Sequence, residues 1–202
     1  MISKEIHPDF RLNGVSYGFD ELKEVAYSLI KEGKDHEKHI GDFLTDWLDD
    51  KNEVAVQTSG STGTPKTILI KKEHMVNSAR ATGAFFDLQP QNTALLCLSA
   101  EYIAGKMMLV RAMILGLELD YVPPVSNSLE QVQKQYDFCA MVPLQLQNSL
   151  DNIERIDKLI IGGAPMSTLL KSQVQGKSTK VYETYGMTET ITHVAIRDVR
   201  LS

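Results

Sequence analysis

DFCAMVPLQLQNSLDNIERIDKLIIGG, residues 137–163, holds two apolar runs, DFCAMV (137–142) and DKLIIGG (157–163), around a helical segment. Pro143 suits the first turn of that helix, where its missing N–H costs nothing. Short, unbroken apolar runs separated by helices belong to a parallel sheet buried on both faces. Working outward, the unit repeats. Upstream lie TALLCLS (93–99) as a strand, Ile103 to Leu115 as a helix, ELDYVP (118–123) as a strand and a short helix near Leu129 to Lys134. Downstream come MSTLLKSQV (166–174) as a helix, KVYETYG (180–186) as a strand and ITHVAIRDV (191–199) as a closing strand. The predicted fold is α/β, a mostly parallel sheet covered by helices.

The amino-terminal part reads differently. Asp20 is predicted to cap a helix through Lys31, stopped by Gly33. A second helix spans about His36 to Asp50, with Ile40, Phe43, Leu44, Trp47 and Leu48 on one apolar stripe. His36 and His39 lie at its solvated start with no third ligand nearby. EVAVQT (53–58) is then a strand, SGSTGTPK a loop and TILI a short strand, followed by a helix over about Lys72 to Phe86. Ligands of parallel sheets bind beyond the carboxyl ends of the strands. The loops 59–66, 162–165 and 184–190 are predicted to share that end.

The chain has 202 residues, with 21 Lys+Arg against 26 Asp+Glu, a net charge of −5, and 43% hydrophobic residues. That composition suits a globular domain with a core of its own. No basic run marks a nucleic-acid surface. No apolar run approaches a membrane span, and the start lacks a signal-peptide stretch. The expected location is the cytoplasm, without nucleic-acid or membrane partners; homo-oligomerisation stays open. Cys97 and Cys139 sit in apolar runs and read as buried free thiols.

Two stretches carry chemistry. In Thr58-Ser59-Gly60-Ser61-Thr62-Gly63-Thr64-Pro65-Lys66, small residues let backbone N–H groups approach phosphate, hydroxyls add donors and Lys66 adds charge. It is not a Walker A loop, because Pro65 stands where that motif needs Gly; a P-loop NTPase is disfavoured. A polar hairpin loop is the bland alternative. The second stretch is Tyr182-Glu183-Thr184-Tyr185-Gly186-Met187-Thr188-Glu189-Thr190, in which a Tyr-Gly step follows a strand.

Together these stretches resemble the signatures of the adenylate-forming superfamily, which includes acyl-CoA synthetases, luciferase-like enzymes and peptide-synthetase adenylation domains. TSGSTGTPK resembles its phosphate loop and YGMTET its adenylate and magnesium motif. Ile161-Gly162-Gly163-Ala164-Pro165 resembles its adenine platform. The resemblance runs from about residue 54 to residue 195. It implies that Thr58, Ser59, Gly60, Ser61, Thr62, Gly63, Thr64 and Lys66 close over the ATP phosphates. Gly162, Gly163 and Ala164 would line adenine, with Tyr185 packed on its face and Gly186 allowing close approach. Thr188 would bond the α-phosphate, and Glu189 would hold Mg²⁺. Lys66, Thr188 and Glu189 are the implied catalytic residues; ATP, Mg²⁺ and coenzyme A are the implied cofactor and co-substrates, and a small carboxylic acid the implied partner.

LSAEYIAGKMM (98–108) with Arg111-Ala112, and MVPLQLQ (141–147), resemble one branch, the 2-succinylbenzoate–CoA ligases of menaquinone synthesis. Tyr102 stands near where relatives carry a gating His. Glu183 stands where some relatives carry an Asn facing adenine. The substrate of that branch is a dicarboxylate, and Lys106 or His193 is expected to hold the carboxylate that is not activated. Arg111 is expected to snorkel from the far side of its helix. Other aryl or fatty acid ligases, carrier-loading adenylation domains and a non-catalytic ATP or AMP sensor are the alternatives. The superfamily's ribose motif, hinge and lysine-bearing lid domain follow later in the chain, and Lys171, Lys177 and Lys180 all precede Tyr185. Residues 1–202 are therefore expected to be an incomplete amino-terminal nucleotide- and acyl-binding domain.

Overall fold

The computed structural model describes residues 6–57, 66–191 and 193–201. Eight strands form the main sheet: β1 (Arg11–Leu12), β2 (Val15–Ser16), β5 (Thr93–Leu96), β6 (Glu118–Tyr121), β7 (Tyr136–Met141), β8 (Ile156–Ile161), β9 (Lys180–Gly186) and β10 (His193–Asp198). Their spatial order is β10-β9-β8-β7-β5-β6-β1-β2. The run from β9 to β1 is parallel, and each edge pair, β9·β10 and β1·β2, is antiparallel. The predicted α/β class, with helices covering a mostly parallel sheet, is what the structure has.

Helices cover both faces. Helices α3 (Lys72–Phe86) and α4 (Ile103–Leu115) belong with the larger core cluster, which also takes Phe10, Leu22, Phe43, Trp47, Phe138 and Ile160. The opposite cluster joins Leu95, Cys97, Cys139, Leu159, Ile161 and Val181 to α5 (Pro143–Asn148) and α6 (Thr168–Val174) through Leu146, Leu170 and Val174. Alternation along each strand sorts its side chains between these clusters. Thus Leu95 and Cys97 face one way, and Ala94 and Leu96 the other. The two thiols are free and buried, Sγ to Sγ 3.6 Å.

The amino-terminal helices α1 (Phe19–Glu32) and α2 (Asp35–Leu48) pack on each other, and α2 buries the predicted stripe Ile40, Phe43, Leu44, Trp47 and Leu48. Asp20 is not the cap of α1. Gly18 is, and its N–H donates to Glu21 Oε2 at 2.7 Å. Asp20 instead lies in the first turn, where a carboxylate complements the helix dipole.

Two expectations change. The segment near Leu129 to Lys134 is a series of turns rather than a helix, tied by Glu130 N–H to Asn127 O and Val132 N–H to Leu129 O. Six residues are too few to outweigh the nucleation cost of a helix without a capped start. The second change concerns β3 (Glu53–Gln57) and β4 (Thr67–Lys71). They pair antiparallel with each other, Gln57 opposite Thr67, in a sheet of their own. Strand β3 therefore does not belong to the parallel sheet. The strands β1 and β2 were too short to leave a period; their signal was Asn13-Gly14, whose positive φ values of 49° and 78° suit a two-residue hairpin turn.

Candidate nucleotide and acyl site

At the carboxyl ends of β8 and β9, Gly163, Ala164 and Pro165 face Glu183, Thr184, Tyr185 and Gly186 across a cleft of about 470 Å³. Ala195, Ile196 and Arg197 of β10 close its side. The main-chain turn after β8 makes one wall. Gly162 N–H donates to Met141 O at 3.1 Å, which extends the β7·β8 ladder by one residue. Gly163 then takes φ +82°, a left-handed conformation that favours glycine, and turns the chain outward. Gly162 has no room for a side chain, because a Cβ there would lie 2.9 Å from Thr184 Oγ1. That hydroxyl donates to Ile161 O at 3.0 Å.

The other wall is β9, whose alternation divides the motif between the faces of the sheet. Tyr185 lies on the cleft side and is 61% exposed, an aromatic face without a cover. The antiparallel partner Ala195 stands opposite it. After β9, residues Thr188–Thr190 make one turn of 3₁₀ helix, with Met187 N–H donating to Thr190 Oγ1 at 2.9 Å. Thr188 is half-buried and Glu189 exposed on this turn. Ile191 follows with φ 69°, rare for a β-branched residue, and bends the chain back into β10.

Glu183 is nearly withdrawn into the protein. Its Oε1 accepts Met166 N–H at 2.9 Å, and its Oε2 accepts Lys171 Nζ at 2.8 Å and the Arg197 guanidinium. Burial pushes the pKa of this carboxyl up, but the hydrogen bonds from Lys171, Met166 and Arg197 outweigh it and bring it down to about 2. No local pattern announces these partners, since Lys171 lies on α6 and Arg197 on β10.

On the other face of the sheet, α4 begins at Tyr102, its N-cap residue. Tyr102 is 44% exposed. The turn before it is tight: Tyr102 N–H donates to Ser99 O, and Glu101 N–H to Ser99 Oγ at 3.2 Å. Lys106 completes this turn rather than reaching outward. Its Nζ donates to Ala100 O at 2.6 Å and lies 5.3 Å from the centre of the Phe43 ring. Burial lowers the pKa of this ammonium, opposed by Asp46, Asp42 and Glu101. Arg111 does not snorkel. It is 2% exposed, and burial brings its pKa down to about 10. Helix α4 is covered on almost every side, so its far side is interior. His193, which pairs with Gly186 across β9·β10, has its pKa lowered to about 4, first by burial and then by the Arg111 charge.

The structure thus brings Gly163, Ala164, Glu183, Tyr185 and Gly186 to one cleft, with Gly162 beneath it and Thr188 and Glu189 on the turn that continues β9. Tyr102, Lys106 and His193 belong to the α4 side. Lys66 is exposed at the start of β4. Thr58, Ser59, Gly60, Ser61, Thr62, Gly63 and Thr64 lie outside the described residues. Among the described residues, no group of three or more His, Cys, Asp or Glu is arranged for a metal, and no helix is long and apolar enough to cross a membrane.

A family model described as AMP-binding enzyme matches residues 17–201. A probable 2-succinylbenzoate–CoA ligase of Mycobacterium tuberculosis is 28% identical over 178 residues, covering 81% of this chain and 46% of the relative. A 2-succinylbenzoate–CoA ligase of Bacillus cereus is 24% identical, covering 87% and 38%. The chain therefore spans less than half the length of these curated relatives. Among solved structures, an acyl-CoA synthetase (AMP-forming)/AMP-acid ligase II-like protein from Dyadobacter fermentans is 38% identical, with TM-score 0.79, covering 88% of this chain and 53% of that one. An o-succinylbenzoate CoA synthetase from Bacillus subtilis, in complex with the acyl-adenylate intermediate, shares the fold at 21% identity and TM-score 0.66, covering 90% and 56%. With the family model matching nearly the whole chain, over the platform, the Tyr-Gly strand and the helices behind them, this chain belongs to the AMP-binding enzyme family.

Proposed function

We propose that the protein containing this chain activates a carboxylic acid with ATP and passes the acyl group to coenzyme A. The observation that carries the reading is the meeting of the Gly163–Pro165 turn and the exposed Tyr185 ring at one cleft. A flat wall of backbone and an uncovered aromatic face suit a purine between them. In the proposed first step an oxygen of the substrate carboxylate bonds to the α-phosphorus of ATP. The bond from that phosphorus to the bridging oxygen breaks, and pyrophosphate leaves. The chain's own part is orientation and charge stabilisation. Tyr185 and the turn hold the base, Thr188 offers a hydroxyl to the α-phosphate, and Lys66 with residues 58–64 takes the outgoing phosphates. Glu189 is a single exposed carboxylate, which fits Mg²⁺ held mainly by phosphate and water. When bound, the ion neutralises phosphate charge.

For the acyl group, the relatives named as 2-succinylbenzoate–CoA ligases support an aromatic dicarboxylate. A dicarboxylate needs a fixed cation for the carboxylate that does not react. The α4 face carries positive charge at the buried Arg111, beside His193, and at Lys106, whose ammonium donates to Ala100 O. A thermal shift with stable acyl-adenylate analogues and Mg²⁺ tests both levels. A ligand at about 100 times its Kd adds about 2.7 kcal/mol. A shift only with the succinylbenzoyl analogue is expected. Equal shifts with a fatty acyl analogue would move the substrate to another class of acid, and no shift with either would overturn the adenylate site.

A further inference from the structure

The cleft wall is fixed at two points only a few residues apart. At one end Gly162 N–H is held by Met141 O. At the other, Met166 N–H is held by Glu183 Oε1 at 2.9 Å. Between them, Gly163 makes the turn at φ +82°, and Pro165 restricts Ala164 to extended backbone. Just beyond Met166, Ser167 caps α6 by accepting Leu170 N–H at 3.1 Å. The free span of the wall is thus Gly163, Ala164 and Pro165, the residues that line the cleft. Whatever sets the Met166 anchor sets the distance of that span from Tyr185.

That anchor is a three-way junction. Through one carboxylate, Glu183 of β9 holds the backbone of Met166, the Lys171 ammonium of α6 and the Arg197 guanidinium of β10. Three of its roughly four acceptor positions are taken. Its side chain is 15% exposed, so the junction is largely out of water, where charge-assisted hydrogen bonds are strong. Without the carboxylate, two cations that now share one oxygen would face each other and repel. We propose that Glu183 is a positioning residue: it sets the Gly163–Pro165 wall against Tyr185 through Met166, Lys171 and Arg197, and does not itself read the base. This rests on the nucleotide reading of the cleft given above.

The test measures AMP and IMP affinities, by calorimetry on this chain, for the wild type, Glu183→Gln and Lys171→Met. Hydrogen exchange at the Met166 amide is followed without nucleotide, including Glu183→Ala, with Glu183→Gln as the variant that keeps an acceptor should Glu183→Ala fail to fold. AMP and IMP differ at the purine 6-position, an amine in one and a carbonyl in the other. A positioning residue weakens both nucleotides by the same factor, about tenfold for Glu183→Gln. The AMP to IMP ratio stays at its wild-type value, Lys171→Met reproduces part of the loss although it lies outside the cleft, and Met166 exchanges faster in Glu183→Ala. A collapse of the ratio in Glu183→Gln would show direct reading of the base and overturn the proposal. So would unchanged affinities in both variants. Wild-type protein that binds neither nucleotide would overturn the reading of the cleft itself, and is distinguishable because it needs no variant.

Discussion

Gly105 offers the sharpest test of how the turn leading into α4 is built. It is the third residue of α4, where alanine is ordinarily better than glycine by about 0.5–1 kcal/mol. Here a Cβ would lie 2.2 Å from Ser99 O, 2.5 Å from Ser99 C and 2.8 Å from Ala100 N. All three are backbone atoms, so no rotamer change relieves the clash. The strand-to-helix turn would have to open by about 1 Å to restore an ordinary carbon–oxygen contact. Opening it strains the Tyr102 N–H bond to Ser99 O and the 2.6 Å bond from Lys106 Nζ to Ala100 O. Overpacking costs about 1–3 kcal/mol and each weakened hydrogen bond about 1 kcal/mol, so the clash outweighs the helix gain. Gly105→Ala is expected to lose about 2–4 kcal/mol in urea unfolding and to displace Tyr102. Two controls isolate the cause. Gly176 has nothing within 4 Å of its Cβ position, and Gly176→Ala should be neutral or gain up to about 1 kcal/mol. Gly83→Ala meets only the end of the Leu115 side chain, at 2.8 Å, and should cost less than Gly105→Ala because that side chain can turn away. Gly105→Ala with wild-type stability would refute the argument.

The remaining predictions concern charge. Lys106→Met is expected to lower stability and to change KM equally for mono- and dicarboxylate acids, because its ammonium is engaged by Ala100 O; steady-state kinetics on the intact protein checks this, and a selective effect on the dicarboxylate would return that residue to the substrate site. Glu183 has its pKa lowered from 4.5 to about 2, so its contribution is present above pH 4.5 and is lost as the pH falls toward 2. Glu183→Gln should therefore cost about 1–3 kcal/mol at pH 7 and flatten that acid limb of the stability curve, measured by urea unfolding from pH 2.5 to 7. A limb as steep as that of the wild type would place the titration elsewhere. Glu189→Gln should abolish most pyrophosphate exchange in the intact protein while leaving unfolding unchanged, since the side chain is exposed; an unchanged exchange rate would remove the role proposed for it.

Much of the architecture was legible because its signals are local. Lys72–Phe86 and Ile103–Leu115 are helices with the predicted limits, bounded by a strand and a tight turn upstream and by αL caps at Asp87 and Gly116 downstream. The apolar strand runs read correctly because both faces of those strands are covered, which forces unbroken hydrophobicity. The β3·β4 hairpin was harder. Val54 and Val56 are buried like any core strand, and only the partner, itself a tertiary fact, shows that the sheet is separate. Arg111 was misjudged because helical spacing tells which residues share a face of α4 but not that both faces are covered.

The sequence by itself determined the α/β class and singled out the Gly-Gly-Ala-Pro and Tyr-Gly stretches that meet at one cleft, because strand alternation and glycine-bearing turns act over a few residues. Tertiary structure alone decided what those residues do to one another. Lys171, Glu183 and Arg197 belong to a helix, the strand next to the edge and the edge strand; the register of β9 against β10 sets Arg197 opposite Glu183, and the placement of α6 brings Lys171 to the same carboxylate. In the same way Lys106 and Arg111, five residues apart on one helix, differ in role because one meets the carbonyl of a turn and the other the interior beside His193. A charge takes its meaning from the partners and the water around it, and neither is written in the residue that carries it.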